Sequence, residues 1–575
     1  MSMLDELIGK LGDLFGLGTT LTQEQQDALT RYGGYQLQWG DDDTKNPPIY
    51  EGFGRVPPDT LPDPGADGYV TVLQKDLQQL GIMPALPITG VFDRYTSWKI
   101  REFQIYADMD KVATEDPNAA GSYADRLTGT ANTQKYQGDI TGRLDGATAV
   151  ALKAWITNNY RCPVVAESRD QNFNLIVDNV WFASEDAQQG HLCWVTDLTG
   201  TYAVNQDRLD AQGGGADPNH HRILAGSFTT SAYGNGPVCQ AGTVWTDDAI
   251  PQCTDITIQT LTGDQLAQAT APTISTYKVV RAVANRESGD NFDGVNSWDS
   301  ARVSFGPYHF ALFLGGGSSE LPAFLSFLAA WAPDDFKAAF GRYGIDTAQA
   351  WPADATAPTT NNLYNRQQRK WTTYVQQRGL QTPTGVVAMA KNRLATGDDA
   401  DYLRNWHWFY RWVMACRLFP NIWLKCWDFC RYRIQALLQA PFPHVAGLPD
   451  RTTLGQVYTS EYAITALLRA HVNVPKSVIM QGGASDTVVS SLTNAMANDP
   501  TLANNLANWT DQQHKNVDGE LVSGLIAKAR NPDPKNPKAP PWPYAKDMMI
   551  ALEYISPEIG ASVSVESGSF QFDPP

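Results

Sequence analysis

Residues 279–310 read VVRAVANRESGDNFDGVNSWDSARVSFGPYHF. Val279, Val280, Val283 and Ala284 recur at helical spacing, so the stretch opens as an α-helix. Glu287-Ser288-Gly289 ends it, because the Gly/Asn/Asp-rich run that follows breaks a helix interior. Glu287 therefore falls on the last helical turn, facing a polar loop. A carboxyl group there suits a general acid: burial against the helix raises its pKa, and the loop offers a groove for a substrate. The loop closes on Ser304-Phe305-Gly306-Pro307-Tyr308-His309, where a Gly-Pro pair lets backbone and rings approach a flat ligand. Asp290, Asp293 and Asp299 lie within the loop as candidates for a second carboxylate, with Asp293 and Asp299 preferred.

This arrangement resembles the lysozyme superfamily, most closely its lytic transglycosylase and virion-associated lysozyme branch. There Glu-Ser ends a helix and a Gly-x-x-Gln segment follows. Glu287-Ser288 matches the first element and residues 306–309 the second, except that His309 stands where the family has Gln. The resemblance implies that Glu287 protonates a glycosidic oxygen, with Asp293 or Asp299 on the opposite sugar face if the reaction is hydrolytic. A transglycosylase needs no second carboxylate, and the His309 departure leaves the product type open. Ser288, Ser304, Gly306, Tyr308 and His309 would contact substrate. Residues 469–475 resemble a helix end found in phage-type relatives, which would bring Asn473 to the far wall of the cleft; an ordinary helix stop ahead of Pro475 reads equally well.

Residues 67–160 carry a second pattern. A leucine-bearing helix (Val72, Leu73, Leu77, Leu80) ends at Gly81. Ile88-Thr89-Gly90-Val91-Phe92-Asp93 follows, and a new helix starts near Thr96. A tight Gly turn leading to Asp and Thr is a turn joined to a helix N-cap. The pattern resembles the small three-helix peptidoglycan-binding module, which would place Thr89, Gly90, Asp93 and Thr96 at its binding turn. It recurs at Ile140-Thr141-Gly142-Arg143-Leu144-Asp145 with Thr148, a constant 52 residues on (89 to 141, 93 to 145, 96 to 148). Two related half-units, or one module and a degenerate copy, account for this.

The remaining chain fits around these two regions. At 575 residues it exceeds a single core. The expected fold class is mainly α and multidomain, with a peptidoglycan-binding-like module, a β-rich insertion and a large α-helical lysozyme-like domain. Residues 1–17 form an amphipathic helix, with Leu4, Leu7, Ile8, Leu11, Leu14 and Phe15 on one stripe. It either packs back on the chain or docks on a particle. Residues 18–66, rich in Pro and Asp, read as a linker with little regular structure. Residues 161–267 alternate short β-leaning runs with Gly- and Asn-rich turns, and 268–555 are mainly helical, with helical patterns that include 363–379 and 402–438. Residues 556–575 are a polar tail.

Net charge −17 argues against nucleic acid, which demands a basic stripe. The same charge disfavours unaided approach to an anionic envelope. Seven cysteines, an odd number, do not form a disulfide scaffold. Cys162, Cys193, Cys239 and Cys253 fall in a region where they could pair under oxidising conditions, whereas Cys416, Cys426 and Cys430 read as buried thiols. No secretory signal, membrane span, metal motif or cofactor motif is evident. The expected function is a peptidoglycan-cleaving glycosidase, a muramidase or lytic transglycosylase, carried by a phage particle or contractile injection system and acting in the periplasm or on the wall. The alternative is a non-catalytic structural or wall-binding component of such a particle. Expected partners are peptidoglycan and, through the N-terminal helix, particle proteins.

Overall fold

Thr22 begins the described chain's first helix in the computed structural model, which describes residues 21–50, 67–83, 88–169, 266–288, 303–312, 320–347, 403, 406–480, 483–530 and 544–575, with short strands inside 175–225, 295–296 and 375–386. The expected docking helix at 1–17 lies outside these residues. Helix α1 (Gln23–Leu29) starts with a capping box in which Thr22 and Gln25 satisfy each other's backbone N–H groups. The linker expected over 18–66 is corrected for residues 21–50, which pack against the following module. Buried Leu29, Tyr32 and Leu37 anchor them, and Arg31 grips Asp76 through two 2.6 Å hydrogen bonds.

Three helices form that module: α2 (Tyr69–Gln79), α3 (Arg94–Ala107) and α4 (Gly146–Thr157). Between α3 and α4 the chain makes an antiparallel sheet of β1 (Lys111–Glu115) and β2 (Leu127–Ala131), completed on the other side of β1 by β3 (Tyr160–Arg161). Asp93 caps α3 by accepting from Thr96 N at 2.9 Å, and Asp145 caps α4 by accepting from Thr148 N at 2.8 Å. The N-terminus of α2 uses a distant group instead. Asp43 accepts from Val70 N (3.2 Å), Thr71 N (2.7 Å) and the Tyr50 hydroxyl (2.7 Å).

Beyond the module, β4 (Val165–Arg169), β5 (Leu175–Asp178), β6 (Leu192–Asp197) and β7 (Gly200–Val204) make an antiparallel sheet in the order β5-β4-β6-β7. The helical body follows. Helix α5 (Ala271–Ser288) leads to a small sheet of β8 (Val295–Asn296), β9 (Val303–Phe305) and β10 (Phe310–Leu312). Then come α6 (Glu320–Trp331), α7 (Pro333–Ala339), α8 (Trp406–Leu418), α9 (Pro420–Leu438), α10 (Glu461–Asn473), α11 (Asp486–Asn498), α12 (Asp511–Arg530) and α13 (Tyr544–Glu553). The helical pattern over 402–438 is two helices, because Pro420 occupies the first turn of α9 and restarts the chain direction after Phe419. The helix expected over 363–379 is corrected at Val375–Gln377, a strand paired with Ile345–Thr347; the Thr372-Thr373-Tyr374-Val375 run favours extended backbone. Among the described residues no helix is long and apolar enough to cross a membrane.

The module is packed into the body. Every residue of α3 from Thr96 to Ala107 is buried. That burial encloses Glu102, which accepts two hydrogen bonds from the Arg411 guanidinium of α8 (3.2 and 2.6 Å). One turn on, the Tyr106 hydroxyl lies 2.6 Å from His407 Nδ1. The Arg411 guanidinium also stacks on Tyr343, 4.3 Å from its ring centre. Burial pulls the nearby Lys99 ammonium down to about 7, against the opposing pull of Glu102. Cys162, Cys416, Cys426 and Cys430 are buried free thiols; Cys239 and Cys253 lie outside the described residues.

Two stability measurements follow from these contacts. Asp43→Ala leaves two helix N–H groups and a tyrosine hydroxyl without their acceptor, and should cost about 1–3 kcal/mol in urea unfolding. Glu102→Ala strands a buried guanidinium and should cost about 3–5 kcal/mol, whereas replacing both partners with apolar residues should recover most of that loss.

Candidate functional site

Four elements bring the site together. Helix α5 presents Glu287 on its last turn, the turn between β9 and β10 presents His309, α10 presents Arg469 and Asn473, and α13 stands behind them with Asp547. Gly306 enters the β9–β10 turn with φ +80°, in the left-handed region, and a Cβ there would sit 3.2 Å from the Phe310 ring. The left-handed backbone favours glycine, and the tight approach to the ring adds to that preference. The His309 N–H donates to the Gly306 carbonyl at 3.0 Å, and His309 itself holds a left-handed φ of 48°. This turn aims the imidazole at Glu287, with Nδ1 3.6 Å from Oε2.

Glu287 Oε1 accepts from the Arg469 guanidinium and, at 3.0 Å, from the Asn473 amide. Arg469 is balanced on its far side by Asp547 at 3.7 Å, and Asp547 holds Arg286 at 2.8 Å. Acids and bases thus alternate along Glu287, Arg469, Asp547 and Arg286. The Glu287 side chain is 11% exposed and that of His309 20%, so both reach the surface while being mostly shielded.

These partners reverse the expected titration of Glu287. Burial pushes its pKa up, but the neighbouring His309 imidazole and the Arg469 guanidinium outweigh it and hold the carboxyl below its ordinary value of 4.5. In this state Glu287 is an ionised acceptor rather than a loaded proton donor. Becoming an acid requires Arg469 to move or to be drawn to another anion.

The other expected site residues divide sharply. His309 and Asn473 do meet Glu287. Ser288 is buried and its hydroxyl donates to the Ala284 carbonyl at 3.3 Å, back into its own helix. Ser304, Gly306 and Tyr308 are buried too, with Tyr308 packed against Cys430. These four residues, expected to contact substrate, are buried here, and β9 lies inside the aromatic core with Phe305 5.5 Å from Trp412 between ring centres. Asp293 and Asp299 lie outside the described residues. Arg469, the first residue of the helix-end segment 469–475, is a further direct partner of Glu287.

In the module, the turn residues are engaged from within. Gln74 Nε2 donates to Thr89 Oγ1 (3.2 Å), Val91 O (3.0 Å) and Thr96 Oγ1 (3.0 Å), while its Oε1 accepts from Thr89 N (2.9 Å) and Gly90 N (3.0 Å). Gln104 repeats the circuit. It donates to Thr141 Oγ1 (3.1 Å), Arg143 O (3.2 Å) and Thr148 Oγ1 (2.8 Å), and accepts from Thr141 N (2.9 Å) and Gly142 N (2.8 Å). The two half-units are therefore the same device, and α3 belongs to both. Gly90, Asp93 and Thr96 hold the turn; Thr89 also reaches the surface.

Residues 67–110 match the family described as "Putative peptidoglycan binding domain". No curated protein and no solved structure matches the chain. The family match stops short of α4 and does not include Glu287 or its partners.

A titration checks the charge arrangement. With a folded pKa below 4.5, Glu287 contributes stability that is complete above that value and is lost as pH falls through the folded pKa. Arg469→Met should raise the Glu287 pKa, as read by carboxyl-carbon NMR. It should also destabilise the protein more at neutral pH than at a pH below the native carboxyl's own NMR midpoint, where the carboxyl is protonated in both proteins.

Proposed function

We propose that the chain is a peptidoglycan-directed protein whose helical body cleaves the glycan strand with Glu287. The family match at 67–110 supports association with the cell wall. The observation that carries the chemistry is a mostly shielded carboxylate at a helix end, met by an imidazole and an amide from separate elements. Breaking a glycosidic bond needs a proton at the leaving oxygen and stabilisation of positive charge at the anomeric carbon. In this reading Glu287 takes up a proton from solvent once substrate has drawn Arg469 away, then passes it to the leaving glycosidic oxygen, and Asn473 and His309 orient N-acetyl and hydroxyl groups. Either Asp293 or Asp299 completes a hydrolase, or the substrate's own N-acetyl group completes a transglycosylase. The net charge of −17 opposes unaided approach to an anionic surface and favours carriage by a phage particle or contractile machine.

A second reading, that the body is a non-catalytic wall-binding component, draws support from the Glu287–Arg469 pair. A carboxylate locked to a guanidinium is a sound structural link and a poor resting acid. Digestion of purified sacculi separates the two. The native protein should release soluble muropeptides and Glu287→Gln should lose at least about a hundredfold in rate, with both retained on sacculi. Anhydro-muramic ends in the products would mark a transglycosylase and reducing ends a hydrolase. Retention without release by the native protein would leave only the binding reading.

A further inference from the structure

We propose that Asp547 is a positioning residue for the acid: when Glu287 takes up its proton, the Arg469 guanidinium passes from Glu287 to Asp547. The inference rests on the cleavage reading of Glu287 and names where the displaced cation goes.

Arg469 cannot simply be released into water. Its side chain is 4% exposed, so loss of the Glu287 charge leaves a buried guanidinium in need of another anion. Asp547 is already at hand. One guanidinium nitrogen, Nη1, bonds to Glu287, while the other, Nη2, lies 3.7 Å from Asp547 Oδ2. That is roughly 1 Å beyond a charge-assisted hydrogen bond, a gap that a side-chain movement closes. Asp547 sits in the first turn of α13, where the helix's free N–H groups favour a negative charge. Its Oδ1 is anchored by Arg286 at 2.8 Å, which leaves Oδ2 for Arg469. Arg286 is the most exposed of the four side chains, so sharing Asp547 costs it least.

The other groups around Glu287 keep their places in this exchange. Asn473 Nδ2 donates to Glu287 Oε1 at 3.0 Å and to the Arg469 carbonyl at 3.2 Å, so the backbone of α10 holds it beside the carboxyl while the guanidinium moves. Oε2, on the His309 side, is then the oxygen that carries the proton. Two more cationic or titratable groups act on the carboxyl, His309 from the β9–β10 turn and Arg433 from α9, whose buried guanidinium feels the Glu287 charge. Arg433 is paired with Glu320 of α6. Arg469 is the cation that bonds directly to Glu287 and also faces a second carboxylate.

Glu287→Gln in the full chain mimics the protonated acid in shape and charge. Its crystal structure should show Arg469 within hydrogen-bond distance of Asp547; Arg469 still on residue 287, with Asp547 no nearer than 3.7 Å, overturns the proposal. Carboxyl-carbon NMR of the substrate-free protein gives a second readout, the Glu287 midpoint. Asp547→Asn offers no charge to receive the cation and should lower that midpoint by about one pH unit, tenfold in the protonated fraction, with Asp547→Glu near the native value. A midpoint that rises shows that Asp547 only presses Arg469 onto Glu287, and, like an unchanged one, overturns the hand-over. If Asp547→Asn does not fold, the Glu287→Gln structure decides alone. Neither readout depends on cleavage. In sacculus digestion the pH profile of Asp547→Asn should move to lower pH; release with an unmoved profile removes Asp547 from the reaction and leaves Glu287 as its acid. No release by the native protein overturns the cleavage reading and with it the catalytic use of the hand-over.

Discussion

Helix α3 is buried along its length from Thr96 to Ala107, and that enclosure constrains everything around it. A helix carrying Lys99, Arg101, Glu102 and Gln104 has to find partners for those groups inside the protein, since an uncompensated buried charge is far costlier than an exposed one. Glu102 finds Arg411 of the body and Gln104 finds the Thr141-Gly142 turn of the second half-unit. One face of the helix therefore fastens the module to the body, and another assembles the module itself. The segment that matches the peptidoglycan-binding family is packed into the remainder of the protein, unlike a module hanging from a flexible tether.

The two glutamine circuits explain how a short repeat makes a fold larger than the family match. In each, one side-chain amide satisfies two backbone N–H groups, a carbonyl and two threonine hydroxyls, which removes the penalty of burying a Gly turn. The first glutamine comes from α2 and the second from α3, so the second half-unit is built on the last helix of the first. Residues 37–43 then run across both turns: Leu37 pairs with Leu144, and Asp43 bonds to Gly90. An acidic segment with no regular structure of its own acquires a defined path because the backbone groups of two turns are waiting for it.

At the Glu287 site, desolvation and charge compete over one carboxyl group. Burial alone would make it a ready acid. The guanidinium of Arg469 and the imidazole of His309 reverse that outcome, and Asp547 keeps the guanidinium in place. The protonation state of this carboxyl thus depends on a cation held in place by a third element.

Local signals in the sequence determined the helix that ends at Glu287, the Gly turn at 306, the repeated Thr-Gly turns with their Asp caps, and the buried thiols of α8 and α9. Each depends on neighbours a few residues away, through periodicity, glycine's left-handed backbone or a side chain reaching the next turn. Asn473 was also legible, because a helix stopping before Pro475 places it at an end. Arg469, 182 residues from Glu287, was not, and neither was the Glu102–Arg411 pair across 309 residues or the grip of Asp43 on α2. Seated far apart in the chain, these charges acquire partners only when helices pack. So the sequence placed an acid at a helix end, and the tertiary structure decided which cation would face it and hence its protonation state.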